Sequence, residues 1–199
     1  MNVLIIPEDF RKDQYILKPI IEKMLKAAGT HATKVRVCID PLLGGVGEAL
    51  KWDRISEVID MHPMVQVFLL IVDRDGKPGR RASLDSLEEK ANDKLSKQTD
   101  VRAGRSFFAE NAWQEIEVWA LAGIAELPKQ WKWRDVRNEP NPKEIYFEKF
   151  AQQRGLLNEP GQGRITLGRE AAKSYSRIRS LCPEDVASLE VRIKRWITE

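Results

Sequence analysis

Residues 65–72 read VQVFLLIV and form the most hydrophobic stretch of the chain. The stretch is rich in β-branched residues, which favour strands over helices. An apolar run of this length, with almost no polar residue inside it, is typical of a strand that a parallel sheet buries on both faces. We therefore expect residues 65–72 to form the central strand, which the acidic sequence Asp73-Arg74-Asp75-Gly76 ends abruptly.

Strand-like and helix-like patterns alternate on either side of this run. Short apolar or alternating segments predict further strands at residues 3–6, 34–39 and 105–109. Apolar residues at helical spacing predict helices at residues 13–28, 48–60, 83–95 (with Ser83 as the N-cap) and 113–124. Such an alternation implies an α/β fold, with a mainly parallel four-stranded sheet and helices on both faces.

The character of the chain changes after Pro128, where tryptophans, prolines and a glycine predict an irregular arm. Two helical patterns follow, at residues 167–181 and 183–197. We therefore expect an α/β domain over residues 1–125, with residues 126–199 forming an irregular arm and C-terminal helices that pack on it.

Composition excludes several classes of protein. The 199 residues include 33 Lys and Arg against 30 Asp and Glu, so the formal net charge of +3 does not fit a protein that coats nucleic acid with a uniformly basic surface. Two cysteines are too few for a disulfide framework and favour a reducing cytoplasm. No segment reaches the roughly 18 apolar residues of a membrane span, and the first residues carry no basic leader. We expect a cytoplasmic protein without membrane association.

Carboxylates follow two of the predicted strands directly. Glu8 comes after the first strand, and Asp73 and Asp75 come after the central one. Ligands of open parallel sheets bind beyond the carboxyl ends of the strands. Because residues two apart in a strand point the same way, Asp73 and Asp75 would aim at one point if the extended geometry continues past residue 72. Converging carboxylates suit Mg²⁺; the alternative is a solvated turn, since Asp-x-Asp-Gly is also common in loops.

The order and spacing of these motifs resemble a Toprim domain, the catalytic fold shared by topoisomerases, bacterial primases and OLD-type nucleases. Residues 115–122, EIEVWALA, also look like the Glu-x-Trp-Leu-Leu-Ala segment in a branch of small bacterial Toprim-like proteins. The resemblance covers roughly residues 1–125. It implies a Toprim-like or Rossmann-like arrangement of the sheet.

The resemblance also implies roles for individual carboxylates. Glu8 matches the general acid/base or a metal ligand, Asp73 and Asp75 match Mg²⁺ ligands, and Glu117 matches an additional carboxylate of the metal site. The sequence departs from the family after Glu8, where Asp9 replaces the usual Gly. Lys12 stands where nuclease members often carry a second Glu, and Asp13, one position later, is a substitute for that acid.

The activity that the resemblance implies is Mg²⁺-dependent hydrolysis of phosphodiester bonds in DNA or RNA, with Mn²⁺ as a substitute metal. Family analogy would place it in bacterial genome defence or repair. No tyrosine stands in the context of a topoisomerase nucleophile, so hydrolysis is favoured over rejoining. Because the chain is small, we expect it to form a homodimer or to bind a partner subunit if one copy alone does not hold the nucleic acid.

Two basic groups are candidates for contacts with nucleic acid. Lys77, Arg80 and Arg81 adjoin the acidic loop, and Arg169, Lys173 and Arg177 fit one face of a predicted helix. The alternatives are a solvated loop and the wet side of a docking helix. The turn Gly161-Gln162-Gly163-Arg164 resembles a phosphate-cradling turn only loosely.

Two other functions remain open. The altered region after Glu8 favours a non-catalytic Toprim-like module that binds a nucleotide or a partner protein. A phosphate-handling domain of the receiver type would use the acidic pair Glu8-Asp9. That type also requires a Lys after a fifth strand, and the sequence shows none.

Overall fold

The computed structural model describes residues 1–30, 32–98 and 104–199. Its described residues form one four-stranded sheet in which all neighbouring strands are parallel. The strands are β1 Asn2–Pro7, β2 Lys34–Val37, β3 Val67–Asp73 and β4 Ser106–Ala112, in the order β2-β1-β3-β4. The expected α/β fold with a parallel sheet and a helical C-terminal part is confirmed, and the VQVFLLIV run supplies an inner strand.

Helices connect the strands and make up most of the C-terminal part. They are α1 Phe10–Ala27, α2 Val46–Ala49, α3 Trp52–Met61, α4 Arg80–Ser96, α5 Glu117–Gly123, α6 Trp133–Asn138, α7 Glu148–Gln153, α8 Arg164–Lys173, α9 Tyr175–Leu181 and α10 Ser188–Thr198. Turns of π-helix, Lys143–Phe147 and Pro183–Ala187, lead into α7 and α10. Residues 126–160, expected to be irregular, therefore include helical segments.

The sheet is covered on both faces, which explains why β3 is apolar at every position except its last. Val67, Leu69 and Ile71 belong to a core that also contains residues of α1, α5 and the C-terminal helices. Phe68 and Leu70 belong to a second core, formed with α3 and α4. A strand enclosed in this way has no wet side, so its sequence does not alternate.

Helix α8 is held against α1 and α5 at two glycines. A Cβ atom added to Gly168 would lie 2.3 Å from the backbone oxygen of Tyr15 in α1. One added to Gly123 in α5 would lie 2.5 Å from the Cα of Ala171 in α8. Neither position can accept a side chain without moving backbone, so these two crossings fix α8 relative to the sheet domain.

The connection between β4 and α5 delays the helix that the sequence predicts from residue 113. The backbone N–H of Trp113 donates to the carboxylate of Asp185 at 2.8 Å, and Gln114 has a positive φ of 70°. These constraints are incompatible with a helix through residues 113–116. α5 therefore starts at Glu117.

The single helix expected over residues 167–181 is interrupted at Ser174, whose φ and ψ are −106° and 40°. The N–H of Ser174 donates to the carbonyl oxygen of Ala171 at 2.9 Å, a tightened turn that ends α8. Arg169 and Lys173 consequently lie in α8 and Arg177 lies in α9. The expectation that all three share a face of one helix is wrong.

α4 starts three residues earlier than the sequence predicts. Ser83 lies inside the first turn, where its hydroxyl group donates to the carbonyl oxygen of Gly79 at 3.4 Å, and it is not the N-cap. The earlier start brings Arg80 into the helix, where it is buried.

Within the described ranges, no helix combines the length and the apolar character that crossing a membrane requires.

Candidate functional site: the acidic edge of the sheet

Glu8 and Asp73 meet at the carboxyl edge of the sheet. β1 and β3 are adjacent and pair as far as Pro7 and Ile71, so the next residues of the two strands emerge side by side. The Oε2 atom of Glu8 accepts a hydrogen bond from the backbone N–H of Asp73 at 3.3 Å. The sequence-based expectation that these two carboxylates share an edge is met by the structure.

Asp73 is surrounded by acids. Its Oδ1 atom accepts a hydrogen bond from the N–H of Ile116 at 2.8 Å. Burial raises the pKa of its carboxyl group well above the ordinary value, and the neighbouring carboxylates of Glu117, Glu8 and Asp13 raise it further. Because the charges of these four carboxylates influence one another, we call them the acidic cluster: Glu8, Asp13, Asp73 and Glu117.

Asp13 reaches the cluster from the first turn of α1. Its Oδ2 atom accepts a hydrogen bond from the N–H of Asp9 at 3.0 Å, while Asp9 caps the helix by accepting from the N–H of Arg11. Burial raises the pKa of Asp13 to about 7, and the carboxylates of Glu117 and Glu8 contribute in the same direction. Asp13 thus occupies a place in the site, whereas Lys12 is exposed to solvent.

Glu8 is half-buried, as Asp73 is. Burial raises the pKa of its carboxyl group, the hydrogen bond from Asp73 opposes this rise, and the carboxylate of Asp75 adds to it. The guanidinium of Arg80 acts in the opposite direction.

Glu117 begins α5 and is buried. Its Oε1 atom accepts hydrogen bonds from two nitrogens of Arg164, Nε at 3.1 Å and Nη2. Arg164 begins α8, directly after Gly163, whose φ of 85° places it in the left-handed region. The C-terminal part of the chain therefore contributes a cation to the acidic cluster.

β3 ends at Asp73, so the extended geometry on which the expected convergence of Asp73 and Asp75 depends does not continue to Asp75. Asp75 has a positive φ of 50°, and its Oδ2 atom pairs with Nη2 of Arg80 at 3.1 Å. The loop is fixed further by Gln114, whose carbonyl oxygen accepts from the N–H groups of Arg74 and Asp75 at 2.8 and 3.1 Å. Asp75 therefore lies at the margin of the cluster, where its charge still acts on Glu8.

The basic residues that the sequence singles out divide into two groups. Arg80 and Arg81 take part in ion pairs within the protein: Arg80 with Asp75, and Arg81 with Asp85 and the buried Glu110. The other four are exposed to solvent: Lys77, Arg169, Lys173 and Arg177. The second group is better placed to contact a large polyanion.

Comparison of the chain with protein-family models, with curated proteins and with solved structures finds no match. The functional interpretation below uses the chain's own residues.

The donor set of the cluster fits Mg²⁺, although it does not form a complete cage. Among residues 1–30, 32–98 and 104–199, no three His, Cys, Asp or Glu side chains are arranged to hold a metal ion by themselves. Mg²⁺ commonly takes only one or two carboxylates and fills its octahedron with waters and substrate phosphates. Glu8 and Asp73 are the two carboxylates that the backbone hydrogen bond places together.

Two groups near the site carry no recognisable signal in the sequence. Arg164 stands there only as the end of a glycine-rich turn, and its pairing with Glu117 joins residues 47 positions apart. Glu115 accepts a hydrogen bond from the N–H of Lys143 at 2.8 Å, and burial raises its pKa to about 7. No local pattern indicates either contact, because each depends on how the C-terminal part packs on the sheet domain.

Proposed function

We propose that this chain is a metal-dependent nuclease that hydrolyses phosphodiester bonds in nucleic acid, with Mg²⁺ as its ion and Mn²⁺ as a substitute. The observation that carries the proposal is the grouping of Glu8, Asp13 and Asp73 at the carboxyl edge of a parallel sheet, where burial and neighbouring carboxylates raise the pKa of all three. Perturbed carboxylates at a ligand-binding edge are typical of catalytic sites.

The charge balance of the site supports a cation. Two arginines, Arg80 and Arg164, pair with Asp75 and Glu117. Glu8, Asp13 and Asp73 have no ion-pair partner within the described parts of the chain. Like charges held together away from water disfavour ionisation of all of them, and a divalent cation relieves that penalty.

Glu8 and Asp73 would hold Mg²⁺, with Asp13 beside them. When bound, the ion would neutralise charge on the scissile phosphate and stabilise the leaving oxygen. Burial raises the pKa of Glu8, so a bound ion would displace a proton from its carboxyl group closer to neutral pH than from an ordinary glutamate. Asp73, fixed by the N–H of Ile116, keeps its carboxylate oriented.

The exposed cations Lys77, Arg169, Lys173 and Arg177 would bind backbone phosphates. Such contacts are independent of sequence and weaken as salt rises, since each releases condensed counterions. They position the substrate, while the chemistry is left to the acidic cluster.

The test is an activity assay on plasmid, linear duplex, single-stranded DNA and RNA. We expect degradation of at least one substrate with Mg²⁺ or Mn²⁺ and of none with chelator. Glu8→Gln should remove most of the activity while binding stays near normal, because it deletes a charge at the reacting phosphate and no substrate contact. Glu57→Gln, an exposed glutamate of α3 that pairs with Arg54, is the matched control and should remain active.

A variant with Arg169, Lys173 and Arg177 changed to Ala should behave in the opposite way. Binding should weaken and the slope of log K against log salt should fall by up to about three, roughly one for each phosphate that the variant no longer neutralises. If purified wild-type protein cuts none of the four substrates with either metal at any salt concentration, the nuclease proposal fails. A non-catalytic binding module then becomes the better description.

A further inference from the structure

Arg164 is among the most enclosed charged residues of the protein. Its side chain is 2% exposed, and two of its nitrogens donate to the same oxygen, Oε1 of Glu117. The third nitrogen, Nη1, is buried and has no hydrogen-bond partner among the described residues. The guanidinium carbon lies 5.4 Å from the centre of the Phe147 ring. A cation sealed in this way cannot contact nucleic acid from solvent, so any role in the site must act through Glu117 and through its charge.

The position of Arg164 is set by the same helices that carry the acids. Gly168 of α8 packs against the backbone at Tyr15 and Ile16, two and three residues after Asp13 in α1. Gly123 of α5, the helix that begins with Glu117, packs against α8 at Ala171. Because both crossings exclude a Cβ atom, Arg164 cannot move away from the acids without separating the helices.

The charge on Glu117 matters to the whole cluster. Glu117 follows Ile116 directly, and the N–H of Ile116 donates to Oδ1 of Asp73 at 2.8 Å, so the start of α5 holds the charge of Glu117 close to Asp73. Arg164 lies against that charge and cancels it at close range. An uncompensated Glu117 would add a further negative charge to a group of acids that already repel one another.

We propose that Arg164 is the internal counter-cation of the acidic cluster, and that Glu117 is its ion-pair partner and does not ligate the metal. Arg164 is then a positioning residue that acts through Glu117. Its positive charge lowers the affinity of the acidic cluster for divalent cations. The inference rests on the proposed metal site. It removes Glu117 from the ligand set and leaves Glu8 and Asp73 to hold the ion, with Asp13 beside them.

The test is a double-mutant cycle on the full chain, with Mn²⁺ affinity measured by calorimetry at pH 8. Arg164→Gln removes a positive charge beside the site, so Mn²⁺ should bind about tenfold more tightly. Glu117→Gln leaves Arg164 uncompensated, so Mn²⁺ should bind about tenfold more weakly. The double variant removes one charge of each sign and should return to within about threefold of wild type.

The double variant tests whether Glu117 ligates the metal even if the single variants fold poorly. It replaces the buried ion pair with two amides that can hydrogen-bond to each other, and so leaves no unpaired charge. If Glu117 is a ligand, the double variant will bind Mn²⁺ as weakly as Glu117→Gln does, and the inference is overturned while the nuclease proposal stands. If Arg164 has only a structural role, Arg164→Gln will weaken Mn²⁺ binding, which also overturns the inference.

Two controls complete the cycle. Arg164→Lys keeps the positive charge and should bind Mn²⁺ like wild type. Arg154→Gln removes an exposed arginine that pairs with Glu170 on the outer side of α8, and should leave Mn²⁺ affinity unchanged. If wild-type protein itself binds no Mn²⁺ at millimolar concentration, the metal site fails and this inference fails with it.

Discussion

Asp73 and Asp185 are both enclosed by protein and both bind the connection between β4 and α5, yet their surroundings differ. Asp185 accepts hydrogen bonds from the N–H of Trp113 at 2.8 Å and from Nε1 of Trp119 at 2.7 Å. It also forms a two-pronged ion pair with Arg137, at 2.7 and 3.1 Å. Asp73 accepts a single hydrogen bond of comparable length, from Ile116, and its charged neighbours are acids.

We interpret Asp185 as a structural carboxylate and Asp73 as part of the proposed metal site. The charge of Asp185 is balanced by Arg137, and its carboxylate oxygens accept hydrogen bonds. A buried ion needs both if it is to stabilise a fold. Asp73 is half-buried beside other acids and has no ion-pair partner among the described residues, at a cost in stability. We infer that such an unbalanced group of carboxylates serves a ligand, and that this ligand is a cation.

The largest change in stability is expected when Asp185, the aspartate whose charge is balanced by Arg137, is replaced. Asp185→Ala leaves Arg137 buried without its main partner and removes the acceptor of three further hydrogen bonds, from the N–H groups of Trp113 and Val186 and from Nε1 of Trp119. We expect a loss of about 4 kcal/mol in the free energy of unfolding and a fall in Tm of about 10 °C. Denaturant unfolding with and without Mg²⁺ should give the same loss, because Asp185 takes no part in binding the ion. A loss below about 1 kcal/mol would mean that Asp185 is not the anchor of this region.

The next effect concerns pH. In chelator, the folded protein binds more protons than the unfolded chain, because the pKa of Asp13 rises from near 4 to about 7 on folding. A group whose folded pKa is raised contributes stability that is complete below its unfolded pKa and is lost as pH rises through its folded pKa. Stability should therefore fall between about pH 4 and pH 7.

Asp13→Asn should reduce that fall by on the order of 3 kcal/mol, measured by urea unfolding across the pH range. The residual fall should come from the other buried acids, including Glu110, whose burial raises its pKa to about 7. Millimolar Mg²⁺ should flatten the wild-type profile, since the ion favours the deprotonated acids. A wild-type stability that rises steadily from pH 4 to pH 7 in chelator would contradict the assignment.

A smaller change of opposite sign, a gain in stability, is expected when Asp73 is replaced. Asp73→Asn keeps an oxygen that can accept from Ile116 and removes the uncompensated charge. At pH 7.5 in chelator it should stabilise the protein by about 1–2 kcal/mol, while abolishing the rise in Tm that Mg²⁺ gives to wild type. Asp75→Asn, which instead breaks a pair with Arg80, should not stabilise. Equal changes in the free energy of unfolding for Asp73→Asn and Asp75→Asn would show that the lack of a cation partner does not distinguish Asp73 from Asp75.

The sequence could predict what depends on neighbouring residues. The apolar runs identified the four strands, and the acids directly after two of them identified Glu8 and Asp73. It could not predict contacts that form only after packing. The pairing of Arg164 with Glu117 and of Arg137 with Asp185 joins residues 47 and 48 positions apart. The expectation for Asp75 fails for a local reason, because the turn at Gly76 gives Asp75 a positive φ and ends the strand geometry.

The most direct test of the metal site is anomalous diffraction from crystals grown with MnCl₂. A manganese peak should lie at the carboxyl edge of the sheet, within about 2.5 Å of carboxylate oxygens from Glu8 and Asp73. It should disappear in Asp73→Asn crystals grown under the same conditions. A peak at another place, or a peak at this edge that survives the Asp73→Asn change, would contradict the claim that the unbalanced carboxylates form a metal site.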